Sequence, residues 1–246
     1  MGYLRFPATQ KREGRLVCFH HAGGNPHVFQ AWSDWLGSSV EIIAVELPGH
    51  GTRYREKLIP TAEEIATQVI PHILPFFDEP VFFLGHSMGA ILAFETVRQL
   101  IALNAKAHHL YVIGAYPPYV KKEIFTHQSD DSFVQQIYQL GGIPEGFFQD
   151  PDLKAYLLPI LRNDFQLTER YNRKVELPCP LTVYAGDHDI PSIKDLMRWK
   201  EVQPKSFTLK IFQGNHFFLH QEHEDFHITL KKSLLQQLKE ERKKYA

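Results

Sequence analysis

Residues 80–97 read PVFFLGHSMGAILAFETV and set a single serine, Ser87, between glycines at 85 and 89. Ahead of it, Val81-Phe82-Phe83-Leu84 is apolar without alternation, the pattern of a strand covered on both faces in a parallel sheet. Behind it, Ile91, Phe94 and Val97 recur at helical spacing, with Ala90, Leu92 and Ala93 filling in. Ser87 is therefore expected at a strand-to-helix turn. Gly85 and Gly89 stand where a Cβ would crowd so tight a turn, and the segment fits G-x-S-x-G, the elbow that exposes a serine hydroxyl above a sheet. A helix beginning there also aims free backbone N–H groups and the positive end of its dipole at an oxyanion. A turn whose serine merely caps the helix would carry the same letters, but the flanking strand and helix favour the elbow.

The same alternation extends along the chain. RLVCF, VEIIAVEL, HHLYVIGAY, PLTVYAG and SFTLKIF read as strands, and HVFQAWSDWL, TAEEIATQVIPHILPFF, IKDLMRWKEV and the C-terminal segment read as helices. Thr61 with Glu64, and Ser192 with Asp195, supply capping boxes. Strands alternating with helices predict an α/β fold, a mostly parallel central sheet with helices on both faces. At 246 residues and 43% hydrophobic, the chain is expected to form one domain, 1–246. Between Pro117 and Pro178 no strand is evident, yet Phe133, Ile137 and Leu140 share one helical face and Leu153, Tyr156, Leu157, Ile160 and Leu161 another, divided by LGGIPEG. We expect a helical lid insertion over about 117–178, leaving the sheet on the edge toward which Ser87 points.

A formal charge of -1 offers no field to draw nucleic acid or an anionic membrane. No run is apolar enough for a membrane span, and the N-terminus lacks the core of a signal peptide, so the expected location is cytoplasmic. Cys18 and Cys179 read as buried thiols. The basic tail LKKSLLQQLKEERKKYA reads as a solvated terminal helix.

A serine nucleophile needs a base, itself oriented by a carboxylate, and elbow-type enzymes carry them in the order Ser, Asp or Glu, His. LTVYAGDHDIPS runs from a strand into a loop with Asp187 and Asp189, and TLKIFQGNHFFLH runs from a strand through a turn to His216. Both loops fall on the sheet edge of the elbow. Asp189 is preferred to Asp187, which stands close enough to the strand end to bond local backbone. Of the 14 histidines, His216 directly follows a strand and turn, whereas His220, His223 and His227 are placed in the terminal helix. No metal is expected, since no His-Glu-x-x-His or Cys-x-x-Cys pattern occurs, and no cofactor. Oxyanion donors are sought at the N–H of Met88, after the nucleophile, and of Ala22 in HHAGGNPH. Gly23 and Gly24 lack the third glycine or the Lys-Ser/Thr sequel of a phosphate loop.

Taken in order, CFHHAGG, PGHGTR, GHSMGA, LGGIPE, YAGDHD and GNHFFL resemble the type II thioesterases, stand-alone α/β-hydrolases that accompany nonribosomal peptide and polyketide synthases and animal fatty acid synthase. The resemblance spans nearly the whole chain. It implies hydrolysis of acyl or aminoacyl thioesters from the phosphopantetheine arm of acyl or peptidyl carrier proteins, clearing misprimed or stalled synthases. It puts nucleophile, acid and base on Ser87, Asp189 and His216, and the oxyanion donors on Ala22 and Met88. One departure is His20, where the family usually carries a proline. Arg53, Arg55, Lys57, Lys121 and Lys122 are candidates to meet the arm's phosphate or an acidic carrier surface, with solvated charge as the alternative. Phe133, Phe147, Phe148 and Phe165 suggest an apolar channel or packing within the lid. A monomer is expected. A carboxylesterase or lipase acting on free esters, and a carrier-binding accessory protein with a vestigial triad, are the competing functions.

Overall fold

The computed structural model describes residues 2–36, 39–121, 123–144, 146–220 and 223–245. Seven strands, β1 (Gly2–Phe6), β2 (Gly14–Phe19), β3 (Val40–Glu46), β4 (Val81–His86), β5 (Ala107–Ile113), β6 (Leu181–Gly186) and β7 (Phe207–Phe212), form one sheet in the order β1-β3-β2-β4-β5-β6-β7. All neighbours pair in parallel except β1, which runs antiparallel to β3 along one edge. Strands β2, β3 and β4 are buried along their whole length, which explains why their letters are mostly apolar, Arg15, Glu41 and Glu46 being the charged exceptions. The opposite edge, β7, alternates between half-buried and exposed residues before Phe212.

Among the described residues seven α-helices accompany the strands: α1 (Trp32–Leu36), α2 (Ala62–Ile73), α3 (Met88–Ala102), α4 (Asp130–Leu140), α5 (Pro151–Arg170), α6 (Ile193–Met197) and α7 (Glu224–Tyr245). Thr61 caps α2 by accepting from Glu64 N–H at 3.3 Å, and Ser192 caps α6 through Asp195 N–H at 3.2 Å. One face of the sheet packs on α2 and α3 through Ile65, Val69, Ile91 and Phe94. The other packs on α1 and α7, where Phe226, Leu230, Leu234 and Leu238 repeat every fourth residue. Among the described residues no helix is long and apolar enough to cross a membrane. Cys18 and Cys179 are both buried and free.

Between β5 and β6 lie α4 and α5, with a core of their own built from Phe133, Val134, Ile137, Phe148, Leu158 and Leu161. Ser129 begins α4 and Gly141, at φ 81°, ends it. Asp150 begins α5 by accepting from the N–H groups of Asp152 and Leu153, with Pro151 in the first helical position.

Several expectations are corrected. Strand β1 is not among the expected strands, because a five-residue edge strand with one long-range partner has little periodicity to betray it. The helix expected over 27–36 is a 3-10 turn, Pro26–Phe29, followed by the short α1, the first capped by Asn25. On α5, Leu153 and Tyr156 are exposed while Ile160 and Leu161 are buried, so the apolar stripe starts later than its letters suggest. Helix α7 is not a wholly solvated tail but lays one leucine stripe on the sheet. It starts at Glu224, so His220 and His223 precede it and His220 ends a separate 3-10 turn.

Candidate active site

Ser87 follows the last residue of β4 with φ 56° and ψ -116°, a region that a side chain enters only under constraint. The constraint is close packing. A Cβ on Gly85 would lie 2.0 Å from the Gly89 carbonyl oxygen, and one on Gly89 would lie 2.1 Å from the Phe19 oxygen, so the turn is wedged between β2 and its own helix. The Ser87 N–H donates to the Ile113 carbonyl at 2.8 Å, tying the turn to β5.

His216 and Asp189 arrive from the loops after β7 and β6. The His216 Nδ1 and Asp189 Oδ1 atoms are 2.7 Å apart, and the Asp189 side chain is wholly buried. The same Oδ1 also accepts from the Ile190 N–H at 2.7 Å. Asp187 is occupied elsewhere: its Oδ1 accepts from Gly214 N–H at 2.8 Å and pairs with His188 Nδ1 at 2.7 Å. Ser87, Met88 and His216 line a cavity of about 510 Å³, together with Ile91, Phe125 and Phe165. No hydrogen bond joins the Ser87 hydroxyl to His216 among the described residues. In unliganded hydrolases that contact is often long and closes with substrate.

Ala22 lies on the loop after β2 and faces a second, smaller cavity of about 120 Å³, which shares Leu140 and Phe165 with the first. Among the described residues no acceptor takes its N–H. Met88 opens α3, so its N–H has no intrahelical partner. The loop is held from above: Asp164 on α5 accepts from Gly23 N–H at 2.8 Å and from His50 Nε2 at 2.9 Å through the same oxygen. His20 is fully buried, donates from Nδ1 to the His21 carbonyl at 2.8 Å, and is driven down to about pKa 3 by burial and by the neighbouring His50.

Three features escaped the sequence reading. His86, beside Ser87, donates from Nε2 to the His216 carbonyl at 2.9 Å and so fixes the backbone of the base candidate. Burial, with the imidazoles of His216 and His21, holds its pKa well below the ordinary value. The Asp164–His50 pair is the second, and its signal was one acidic residue set in the buried stripe of Leu161 and Leu167 on α5. The third is Phe125, which lines the cavity. Of the four phenylalanines considered for a channel, Phe165 lines it, while Phe133 and Phe148 belong to the α4–α5 core with Phe147 packed against it.

The basic candidates divide. Arg53 bonds the Glu46 carbonyl and the Glu56 carboxylate, so its charge is committed within the chain. Arg55 stacks on Tyr54, Lys57 is exposed, and Lys121 lines the cavity. Lys122 lies outside the described residues.

Residues 14–234 match the family model described as a thioesterase domain. The chain belongs to the thioesterase family. This thioesterase is 35% identical over 224 residues to thioesterase PikA5 of Streptomyces venezuelae, covering 89% of this chain and 80% of that one. It is 34% identical over 215 residues to the gramicidin S biosynthesis protein GrsT of Aneurinibacillus migulanus, covering 84% and 83%. The solved structure of the RedJ thioesterase, from the prodiginine pathway of Streptomyces coelicolor, superposes with a TM-score of 0.82 at 31% identity, covering 90% of this chain and 86% of that one. Membership makes this thioesterase a hydrolase of thioesters with the α/β-hydrolase fold expected from its alternating pattern.

Proposed function

We propose that this thioesterase removes acyl or aminoacyl groups from the phosphopantetheine arm of carrier proteins, editing misprimed or stalled synthases, by a Ser-His-Asp acyl-enzyme route. The observation that carries the reading is the 2.7 Å contact of Asp189 with His216 beside a cavity that His216 shares with Ser87. Relatives that serve gramicidin S and prodiginine pathways support the carrier-bound substrate.

In this route Ser87 Oγ attacks the thioester carbonyl carbon while His216 Nε2 takes its proton, and Asp189 stabilises the imidazolium through Nδ1–H. The oxyanion is met by the N–H groups of Met88 and Ala22. The C–S bond breaks and the pantetheine sulfur leaves, receiving the proton from His216. A thiol with a pKa near about 8.5 needs less of that help than an alcohol. Water, deprotonated by His216, then attacks the acyl-enzyme and releases the acid with Ser87 regenerated.

The chain acts as a single-domain monomer in the cytoplasm, where its two free cysteines stay reduced. The segment from 117 to 178, carrying α4 and α5, serves as the lid, and Phe125 and Phe165 present an apolar wall to the acyl group. Lys121, at the cavity, meets the arm's phosphate or the carrier's acidic surface, with Lys122 beside it in sequence.

The test is hydrolysis of an acetyl group on a phosphopantetheinylated carrier, compared with acetyl-pantetheine and a simple oxygen ester. Preference for the carrier-bound thioester is expected; preference for the oxygen ester would turn the reading toward a carboxylesterase. Replacing Lys121 and Lys122 by Glu should raise KM for the carrier substrate alone. A Ser87→Ala protein that lost turnover yet retained full cellular function would favour a carrier-binding accessory role, and one with undiminished turnover would remove Ser87 as the nucleophile.

A further inference from the structure

His21, His86 and His220 come from three distant segments: the loop after β2, the end of β4, and the 3-10 turn Phe218–His220. Their rings pack mutually. Centroids lie 5.2 Å apart at 63° for His21 and His86, 5.4 Å at 64° for His21 and His220, and 5.5 Å at 62° for His86 and His220. The three centroids thus form a nearly equilateral triangle. One nitrogen of each lies within 4.8 Å of the other two. Around tetrahedral zinc, with bonds of about 2.0–2.1 Å, imidazole nitrogens stand roughly 3.4 Å apart. Closing the triangle therefore moves each nitrogen inward by less than about 1 Å.

A second observation points to a ligand. His86 is 1% exposed, and its Nε2–H is spent on the His216 carbonyl, which leaves Nδ1 as its lone-pair nitrogen. That Nδ1 is buried with no hydrogen-bond partner, and so is Nδ1 of His21. Buried polar atoms in native folds are nearly always paired, so two orphans in one cluster call for a missing partner. A ring that gives one N–H to a backbone carbonyl and keeps the other nitrogen free is oriented as metal-bound histidines are. Burial also favours neutral rings at His21 and His86, pushing His21 down to about pKa 3, and neutral imidazole is the ligating form. The cluster contains no carboxylate, which disfavours calcium and magnesium and suits a borderline cation.

We propose that His21, His86 and His220 form a three-imidazole binding site for a divalent transition-metal ion of the zinc class. The solvent-exposed His220 admits the ion, and water completes its coordination. A bound ion joins the loop carrying Ala22, the strand leading to Ser87 and the turn following His216. The site stands whether or not Ser87 is the nucleophile.

The test uses untagged full-length protein stripped with chelator and titrated with Co2+. The expected result is the visible absorption of four-coordinate Co2+, saturating at one ion per chain and displaced by Zn2+. It should be lost in His220→Ala and kept in Ser87→Ala and His223→Ala. Zn2+ should likewise raise the Tm of the wild type and not that of His220→Ala. His220→Phe keeps a ring against His21 and His86, and replaces the alanine variant if circular dichroism shows the latter unfolded. Absence of the absorption at saturating Co2+, or saturation unchanged when His220 is replaced, overturns the proposal.

Discussion

His50 Nε2 and Asp164 Oδ2 stand 2.9 Å apart with side chains 3% and 2% exposed, an ion pair joining the loop after β3 to α5. The carboxylate oxygen that meets His50 also accepts from Gly23 N–H in the loop of Ala22. One buried group thus holds two loops against the helix above them. Replacing it leaves the buried His50 ring without its partner and frees the loop, so Asp164→Ala should lose on the order of 3 kcal/mol in denaturant unfolding. It should also reduce turnover, whereas a purely peripheral helix contact would lower stability and leave turnover intact.

The pair carries a pH signature. Burial pushes the His50 pKa down, but the charge and hydrogen bond of Asp164, with help from the Pro48 carbonyl and Glu46, outweigh it and leave the pKa raised. His20, 5.1 Å away, also faces the ring. A histidine whose folded pKa exceeds its unfolded value of about 6.5 contributes stability below that value and loses it as pH rises through the folded pKa. Wild type should therefore fall in Tm relative to His50→Gln as pH increases from 6 to 9. A gap between the two proteins that stays constant across that range would show the pair to be neutral.

Asp189 holds the His216 ring through Nδ1, and the isosteric Asp189→Asn presents an amide that can select the wrong tautomer. For the proposed triad, kcat should fall by about 10⁴-fold with little change in KM. Stopped-flow thioester hydrolysis measures both. A loss under tenfold would move the orienting role to another group.

Gly89 has no room for a side chain, since a Cβ there would press on the Phe19 carbonyl at 2.1 Å. Gly89→Ala must push β2 away from α3, so we expect a loss of about 1–3 kcal/mol in stability and a larger loss of activity. Gly146→Ala provides the contrast: its Cβ would meet nothing nearer than 3.6 Å, and its φ of 84° makes backbone strain the main cost. Comparable activity losses in the two would argue against a wedged turn at Ser87.

Much of this molecule is local in origin. The mostly apolar letters of β2, β3 and β4, the capping residues Thr61 and Ser192, and the glycines around Ser87 act within a few residues, so strand, helix and elbow can be read from the chain directly. A mostly parallel sheet with helices on both faces follows from that alternation, while the order of its strands comes from the structure. The candidates Ser87, Asp189 and His216 could be proposed for a related reason: Ser87 follows β4 at once, the other two lie in the loops just past β6 and β7, and strand ends in such a sheet share one edge.

Long-range contact settled the rest. Strand β1 exists through its pairing with β3, and the pairing of His50 with Asp164 spans 114 residues. Nothing in the spacing of His21, His86 and His220 announces a cluster, and the assignment of His220 to a helix hid it further. Charge and ring chemistry at those positions are local properties, but burial and partnership depend on which loops the sheet brings to one edge. Periodicity therefore describes the frame well, whereas polar groups buried in it acquire their roles only when the chain closes around them.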